Sequence, residues 1–256
     1  ERKREKKISA QKTIRYKEMA RDGICRVQGK TYSKTIRFYD INYQLDQNED
    51  KNAIFENWCD FLNYFDSSIC FQLSFINHKS NMKEFERVIR IRPQNDDFDD
   101  VRMEYAQMLK NQLAKGNNGL VKTKYITFSI EADNVKQAKP KLERIESDIL
   151  NNFKILGVPA YPLNGMERLQ ILYETFNPDQ PAVSFDYGQV VKSGLGTKDY
   201  VAPSSFVFRD GNSFRMGDTI GCVSYLQILA PELTDKMLAE FLAIDKNLVV
   251  HLHVQS

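Results

Sequence analysis

The residues that could carry chemistry are few. His251 and His253 stand two apart in the alternating segment Leu248-Val249-Val250-His251-Leu252-His253-Val254, a spacing that puts both imidazoles on one strand face and can hold a metal ion. Spacing places no third Cys, His or carboxylate beside them, so they read as polar side chains of a solvated face. Ser193-Gly194-Leu195-Gly196-Thr197-Lys198 has the composition of a phosphate-binding loop without its GxxxxGK[ST] spacing, and Asp199-Tyr200-Val201-Ala202-Pro203 does not open a helix cleanly. Three histidines offer little choice of general base, and no GxSxG sets a serine on a nucleophile turn. Asp96, Asp97, Asp99 and Asp100 precede a helical pattern, where carboxylates complement the N-terminal dipole without any metal. Trp58, Phe61 and Phe65 resemble a stacking platform for bases, but at helical spacing beside Ile54 and Leu62 they read as core. The chain is therefore expected to hold no catalytic, cofactor-binding or metal-binding residues of its own.

A hydrophobic content of 42% with 27% charged residues over 256 residues is enough to bury a sizeable core and excludes a disordered chain. Cys25, Cys59, Cys70 and Cys222 have no CxxC spacing and lie in apolar patterns, as reduced, buried thiols do. The apolar run from Ser67 to Asn77 is bracketed by Asp66, His78 and Lys79, too short for a membrane span, and the charged start Glu1 to Lys7 is followed by no apolar signal region. A cytoplasmic location is the expectation. With 36 basic and 34 acidic residues the charge of +2 lacks the basic bias of most nucleic-acid-binding domains. An alternative function as a nucleic-acid-binding module would rest on the basic terminus and on Lys122 and Lys124 in Val121-Lys122-Thr123-Lys124-Tyr125.

The elements that must position these residues follow from period and punctuation. Gly23 to Gln28 and Tyr32 to Tyr43 are β-rich around the turn Gln28-Gly29-Lys30, which predicts a hairpin. Ile54, Trp58, Phe61, Leu62 and Phe65 predict an amphipathic helix, and Ile69, Phe71, Leu73 and Phe75 a strand. A helix through Val101, Tyr105, Met108 and Leu109 stops at Gly116-Asn117-Asn118-Gly119, and a strand over Val121 to Glu131 follows. Leu142, Ile145, Ile149, Phe153 and Leu156 mark a long helix, and Met166, Leu169, Tyr173 and Phe176 another, closed by Asn177-Pro178-Asp179-Gln180-Pro181. Asp186 to Ser204 has no sustained period and reads as a long surface loop whose apolar anchors Tyr187, Leu195, Tyr200 and Val201 are the candidate interaction residues.

A shift of 182 positions sets Gly211 on Gly29, Phe214 on Tyr32, Ile220 on Phe38, Val223 on Ile41 and Tyr225 on Tyr43. Leu233, Met237, Leu238, Phe241 and Leu242 then mark a helix, and Leu248, Val250, Leu252 and Val254 a strand, so hairpin, helix and strand recur in order. The expected fold is α+β: a mixed or antiparallel sheet with helices on one face, built from a duplicated hairpin-helix-strand unit whose second copy is truncated at Ser256. The division expected is a basic N-terminal arm over 1–20, a first α+β unit over 21–177, and the long loop with the second, incomplete unit over 178–256.

Gly23-Ile24-Cys25-Arg26-Val27, Tyr32-Ser33-Lys34-Thr35-Ile36 and Asp40-Ile41-Asn42-Tyr43 resemble the opening strands of conjugative-transfer (type IV secretion) motor ATPases of the TraC/TrbE class, above all those of Gram-positive conjugative elements. The resemblance continues through Phe55-Glu56-Asn57-Trp58-Cys59-Asp60-Phe61-Leu62-Asn63-Tyr64-Phe65, Leu113 to Gly119, Lys124-Tyr125-Ile126-Thr127-Phe128 and Asn164-Gly165-Met166-Glu167-Arg168-Leu169. It implies an N-terminal docking and regulatory domain, not itself an enzyme, joined to a RecA-like motor that alone would bind ATP and Mg. The partners implied are that motor domain, membrane channel proteins of the secretion system and neighbouring subunits of a homo-oligomer. The place implied is the inner face of the cell membrane, within a complex that transfers DNA.

Overall fold

The computed structural model describes residues 9–40, 48–79, 97–114, 120–178, 180, 185–208, 211–224, 234–244 and 246–254. In chain order the elements are α1 (Ala10–Thr13), β1 (Glu18–Met19), β2 (Cys25–Arg26), β3 (Thr31–Phe38), α2 (Asn48–Asn63), β4 (Cys70–Lys79), α3 (Asp99–Ala114), β5 (Leu120–Glu131), α4 (Val135–Ile155) and β6 (Ala160–Pro162). They continue as α5 (Gly165–Phe176), α6 (Tyr187–Ser193), α7 (Thr197–Val201), β7 (Phe206–Phe208), β8 (Ser213–Met216), β9 (Thr219–Cys222), α8 (Asp235–Leu242) and β10 (Leu248–Val254). The class is α+β.

Packing divides the chain differently from the sequential arm and two units expected. Both compact units are discontinuous, one built from 1–29 with 164–232, the other from 30–163 with 233–256.

The larger unit is an antiparallel sheet. β3 pairs with β5, β5 with β4 and β4 with β10, while β6 pairs with the end of β3. Alternation sends Ile36 and Phe38 of β3, with Ile126, Phe128 and Ile130 of β5, to one face, as the sequence pattern predicts. There they meet the apolar stripe of α4, in which Ala138, Leu142, Ile145, Ile149 and Phe153 are all buried. Asn134 starts that helix by accepting a hydrogen bond from the Gln137 amide at 3.0 Å. Phe153 stacks on Phe38 with centroids 5.0 Å apart and meets Phe61 of α2 at 5.0 Å, and Phe65 stacks on Phe71 of β4 at 4.2 Å. Trp58 is half-buried at the rim of this aromatic cluster, and Leu62, expected in the core, is exposed. Arg37 points to the opposite face from Phe38, and there it meets Tyr105 of α3. Helices thus lie on both faces of the sheet, where helices on one face were expected.

In the smaller unit the segment 9–19, expected as part of a basic arm, is structured. It forms α1 and β1 and buries Ile14, Tyr16 and Met19 with Cys25, Leu169, Phe185 and Val201. β1 pairs with β2 around a turn at Gly23. α5 begins at a capping box, the Asn164 side chain accepting from the Glu167 amide and the Glu167 carboxylate from the Asn164 amide, both at 2.9 Å. This is the string Asn164 to Leu169 quoted above, so its content is a helix start. β7, β8 and β9 form a separate antiparallel meander.

Over 213–254 the order strand, strand, helix, strand does recur. Yet the residues matched to the eight-residue β3 are folded back at Gly217, with φ of 57°, into β8 and β9. The tyrosine overlay of Tyr43 on Tyr225, the glycine stop at 116–119 and the first eight residues lie outside the described residues.

Candidate interaction site

The segment 186–204, expected as an irregular loop, carries two short helices held by local side-chain caps. Asp186 accepts from the Gly188 amide at 2.8 Å at the start of α6, and Asp199 accepts from the Gly196 amide at 2.7 Å at the start of α7. The four candidate anchors separate accordingly. Val201 is fully buried in the core of its unit, which corrects its reading as a surface anchor, because α7 turns that side of the chain onto Leu169 and Phe185. Tyr200 packs edge-on against Phe185 at 4.9 Å, half-buried. Tyr187 meets the other edge of Phe185 at 4.9 Å and donates its hydroxyl to the Met19 and Ala20 carbonyls at 3.1 and 3.2 Å. Burial pushes that hydroxyl up to about 12, with the neighbouring Tyr16 adding to the rise and Arg168 and Arg21 opposing it. Only Leu195 stands in solvent as expected. Gly165 makes room for the arrangement, since a β-carbon there would lie 2.1 Å from both the Ala20 carbonyl and the Tyr187 hydroxyl oxygen. The cleft lined by Leu169, Gln170, Tyr173, Phe185, Tyr200 and Val201 has room for about one water molecule.

Lys198, the one cation of the glycine string, donates to the Ile14 carbonyl at 3.0 Å and lies 5.5 Å from the Tyr16 ring. The Tyr16 hydroxyl in turn donates to Thr197 at 3.1 Å and is pushed up to about 12 by burial. Lysine and hydroxyl therefore both serve to hold the N-terminal segment. A second near-match to the phosphate-loop pattern, Gly23 followed by Gly29-Lys30-Thr31, has one residue too many. It runs into strand β3 instead of a helix, and Lys30 is ion-paired with Asp133 at 2.5 Å.

The surface that sequence reasoning passed over is the meander β7–β9. Phe206 stacks on Phe214 at 5.2 Å and meets Phe208 at 5.2 Å, while the Phe214 ring covers Gly221, where a β-carbon would fall 2.3 Å from it. Val207 and Ile220 lie on the other face, both opposite Arg215 in register. Phe208 is 74% exposed, Ile220 64%, Val207 52% and the following Val223 83%. Both faces of this small sheet thus present apolar side chains to solvent. The consecutive apolar triplet Phe206-Val207-Phe208, which breaks the alternation of a half-buried strand, was the available signal.

A polar cluster on the larger sheet was also missed. Arg37 of β3 lies level with Tyr125 of β5 and Tyr161 of β6. Its guanidinium donates to the Tyr105 hydroxyl and to the Tyr161 hydroxyl, the latter at 3.4 Å, and lies 4.2, 5.5 and 5.9 Å from the rings of Tyr105, Tyr39 and Tyr125. Burial works against the Arg37 charge, but the ring of tyrosines outweighs it, so its pKa is raised. Burial likewise raises the Tyr39 hydroxyl, and it pushes Tyr105 up to about 12 with Arg37 opposing. Arg102, one turn before Tyr105 on α3, binds Asp99 at 3.0 Å and covers the Tyr161 ring at 5.0 Å. The cluster ties α3 to the sheet.

His251 and His253 share the face expected. The Nδ1 of His251 lies 2.8 Å from both the Gln72 side-chain amide and the Ser74 hydroxyl, and its pKa is lowered by burial and by His253. Among the described residues no group of three or more His, Cys, Asp or Glu could hold a metal ion. Of the two lysines that would carry nucleic-acid binding, Lys124 is ion-paired with Asp40 and Lys122 donates to the Leu242 carbonyl at 3.4 Å. Cys25 is buried as expected, Cys59 half-buried, and Cys70 and Cys222 are exposed thiols. No helix among the described residues is long and apolar enough to cross a membrane. Comparison with protein-family models and with curated protein sequences gives no match.

Proposed function

We propose that this chain is a non-catalytic docking and regulatory domain of a conjugative-transfer (type IV secretion) motor ATPase. It works at the cytoplasmic face of the membrane, coupling the motor to channel proteins and neighbouring subunits during DNA transfer. The observation that carries the reading is the meander β7–β9, whose Val207, Phe208, Ile220 and Val223 leave apolar area in solvent on both faces of a small sheet. Monomeric domains keep such area small, and clustered exposure of this kind marks surfaces that meet other proteins. The resemblance of the quoted strings to the TraC/TrbE class supplies the identity of the machine, and ATP with Mg belongs to its motor domain.

The test is made in the full-length protein within a transfer-competent cell. Phe208→Asp with Ile220→Asp should lower transfer frequency by at least about a hundredfold, while protein level and the ATPase rate of the purified protein stay at wild-type values. Undiminished transfer in that double variant would reject the docking role of the meander. An isolated domain that hydrolyses ATP at a rate surviving repeated purification would reject the non-catalytic reading.

A further inference from the structure

Leu195 is the candidate anchor left in water, and the docking surface of the meander makes no use of it. It occupies the three-residue link Gly194-Leu195-Gly196 between α6 and α7. Gly194 ends α6 in the left-handed region with φ of 69°, and the Gly196 amide donates to Asp199 at 2.7 Å. The Leu195 amide donates to the Ser193 hydroxyl at 3.4 Å. The turn is thus held by its own hydrogen bonds, and it presents a leucine that is 50% exposed.

The same turn lies against the segment 9–18. Lys198 donates to the Ile14 carbonyl at 3.0 Å and the Tyr16 hydroxyl donates to Thr197 at 3.1 Å, so α7 begins on that segment. Ile14 and Tyr16 turn into the core, which leaves Arg15 and Lys17 pointing out, and Lys12 of α1 and Lys192 of α6 are exposed as well. The side chains of Lys12, Arg15 and Lys17 make no hydrogen bond or ion pair with the described residues. Residues 9–18 and 190–200 together hold five basic and two acidic residues, and one of the acids, Asp199, is turned onto the Gly196 amide. Their net charge of +3 exceeds the +2 of the whole chain, so the basic character of the protein gathers around this turn.

We propose that this surface binds the anionic headgroups of a membrane leaflet, with Lys12, Arg15, Lys17 and Lys192 meeting the phosphates and Leu195 entering the boundary of the acyl chains. Charge complementarity selects an anionic occupant, and the leucine selects lipid over nucleic acid. A leaflet offers apolar depth directly beneath its phosphates, where an aliphatic tip ringed by cations gains from both. Nucleic-acid surfaces instead set aromatic side chains between the cations to stack on bases, and the aromatic residues of these segments, Tyr16, Tyr187 and Tyr200, are packed on the core. The inference deepens the membrane placement proposed above without using the meander. Vesicle binding and the effect of Phe208→Asp with Ile220→Asp on transfer are separate readouts, so either reading can fail alone.

Flotation of the 256-residue chain with lipid vesicles tests it. Wild type should float with vesicles of phosphatidylcholine containing about 30% phosphatidylglycerol, stay behind with phosphatidylcholine alone, and lose most of its binding as salt rises from about 0.05 to about 0.5 M. Each cation near an anionic leaflet tightens binding about fivefold, so Arg15→Glu with Lys17→Glu should weaken it at least about twentyfold. Leu195→Asp, which removes the apolar tip, should weaken it about tenfold. Lys136→Glu with Lys141→Glu, at exposed positions of α4, changes the net charge equally and should stay within about threefold of wild type. Unchanged circular dichroism and thermal unfolding check that each variant folds. A wild-type chain that ignores anionic vesicles, an equal loss in the α4 variant, or a Leu195→Asp chain that floats like wild type would each overturn the proposal. A wild-type chain that leaves the vesicles for DNA at equal phosphate concentration would overturn it too, by making nucleic acid the partner.

Discussion

Replacing Lys34 with methionine should destabilise the larger unit by about 3 kcal/mol, and replacing its partner as well should restore most of that loss. Lys34 lies on β3 between Ser33 and Thr35, facing α4, and its ammonium meets the Glu146 carboxylate at 2.5 Å. The two side chains keep 7% and 15% of their surface exposed, so this pair lies among the buried Leu142, Ile145 and Ile149 and not in water. Removing one member of a buried pair leaves a charge that neither water nor a counter-ion satisfies, at a cost of about 3–5 kcal/mol. The residual exposure of Glu146 places the expected value at the low end.

For a chain of this size 3 kcal/mol corresponds to a fall in melting temperature of roughly 6–12 °C. Lys34→Met with Glu146→Leu removes both charges and fills the same space, and such replacements are commonly neutral or better, so the double variant should return to within about 1 kcal/mol of wild type. The assay is urea unfolding followed by Trp58 fluorescence. Trp58 is the only tryptophan, and it packs against Phe38, Phe61 and Phe153 of the same unit, so it reports on this unit even where the other melts separately. A single variant within about 0.5 kcal/mol of wild type at unchanged denaturant slope, or a double variant no better than the single, would refute the reasoning.

Phe153→Ala should cost about 4 kcal/mol by the same assay, because the ring is fully buried between Phe38 and Phe61 and no neighbour can fill its place. Stability should also depend on His251. Its folded pKa lies below the ordinary histidine value, so the unfolded chain takes up the proton first. Stability present above about pH 6.5 is then lost as pH falls through that value toward the folded pKa, and His251→Asn should flatten the slope of melting temperature against pH in that window. In the smaller unit Val201→Ala should cost about 2 kcal/mol and Leu195→Asp less than about 0.5, read by near-ultraviolet circular dichroism, because Val201 is core and Leu195 is not.

Long periodic elements were legible because their own sequence settles which side is buried. α4 repeats Leu142, Ile145, Ile149 and Phe153 over 21 residues, and the strand β5 alternates Ile126, Phe128 and Ile130, so each states its face without reference to the rest of the chain. α6 and α7, of seven and five residues, are too short to complete a period, and their caps, Asp186 and Asp199, looked like ordinary polar residues of a loop. The division into discontinuous units was illegible for a further reason. Residues 9–29 join 164–224 through contacts such as Lys198 to the Ile14 carbonyl and Tyr16 to Thr197, which lie about 180 positions apart and leave no trace in local period.

The candidate site shows how far residue type can carry a functional reading. Leu195 and Val201 are both aliphatic, six positions apart in one segment, and sequence alone treats them as equals. One is half-exposed and the other has 1% of its surface in water, because α7 turns Val201 onto Leu169 and Phe185 while Leu195 precedes the helix between two glycines. Apolar character in a loop is therefore a poor guide to an interface, since the same property builds a core. The meander differs in kind. Phe206, Val207 and Phe208 occupy both faces of a strand in a three-stranded sheet, and such a sheet has only two faces to bury. Where consecutive apolar residues leave Val207 and Phe208 in solvent on opposite faces, the strand's own sheet cannot cover both, so the apolar surface exceeds what that sheet uses. The excess, more than the presence of apolar residues, is what makes the meander the stronger place to look for a partner than the segment 186–204.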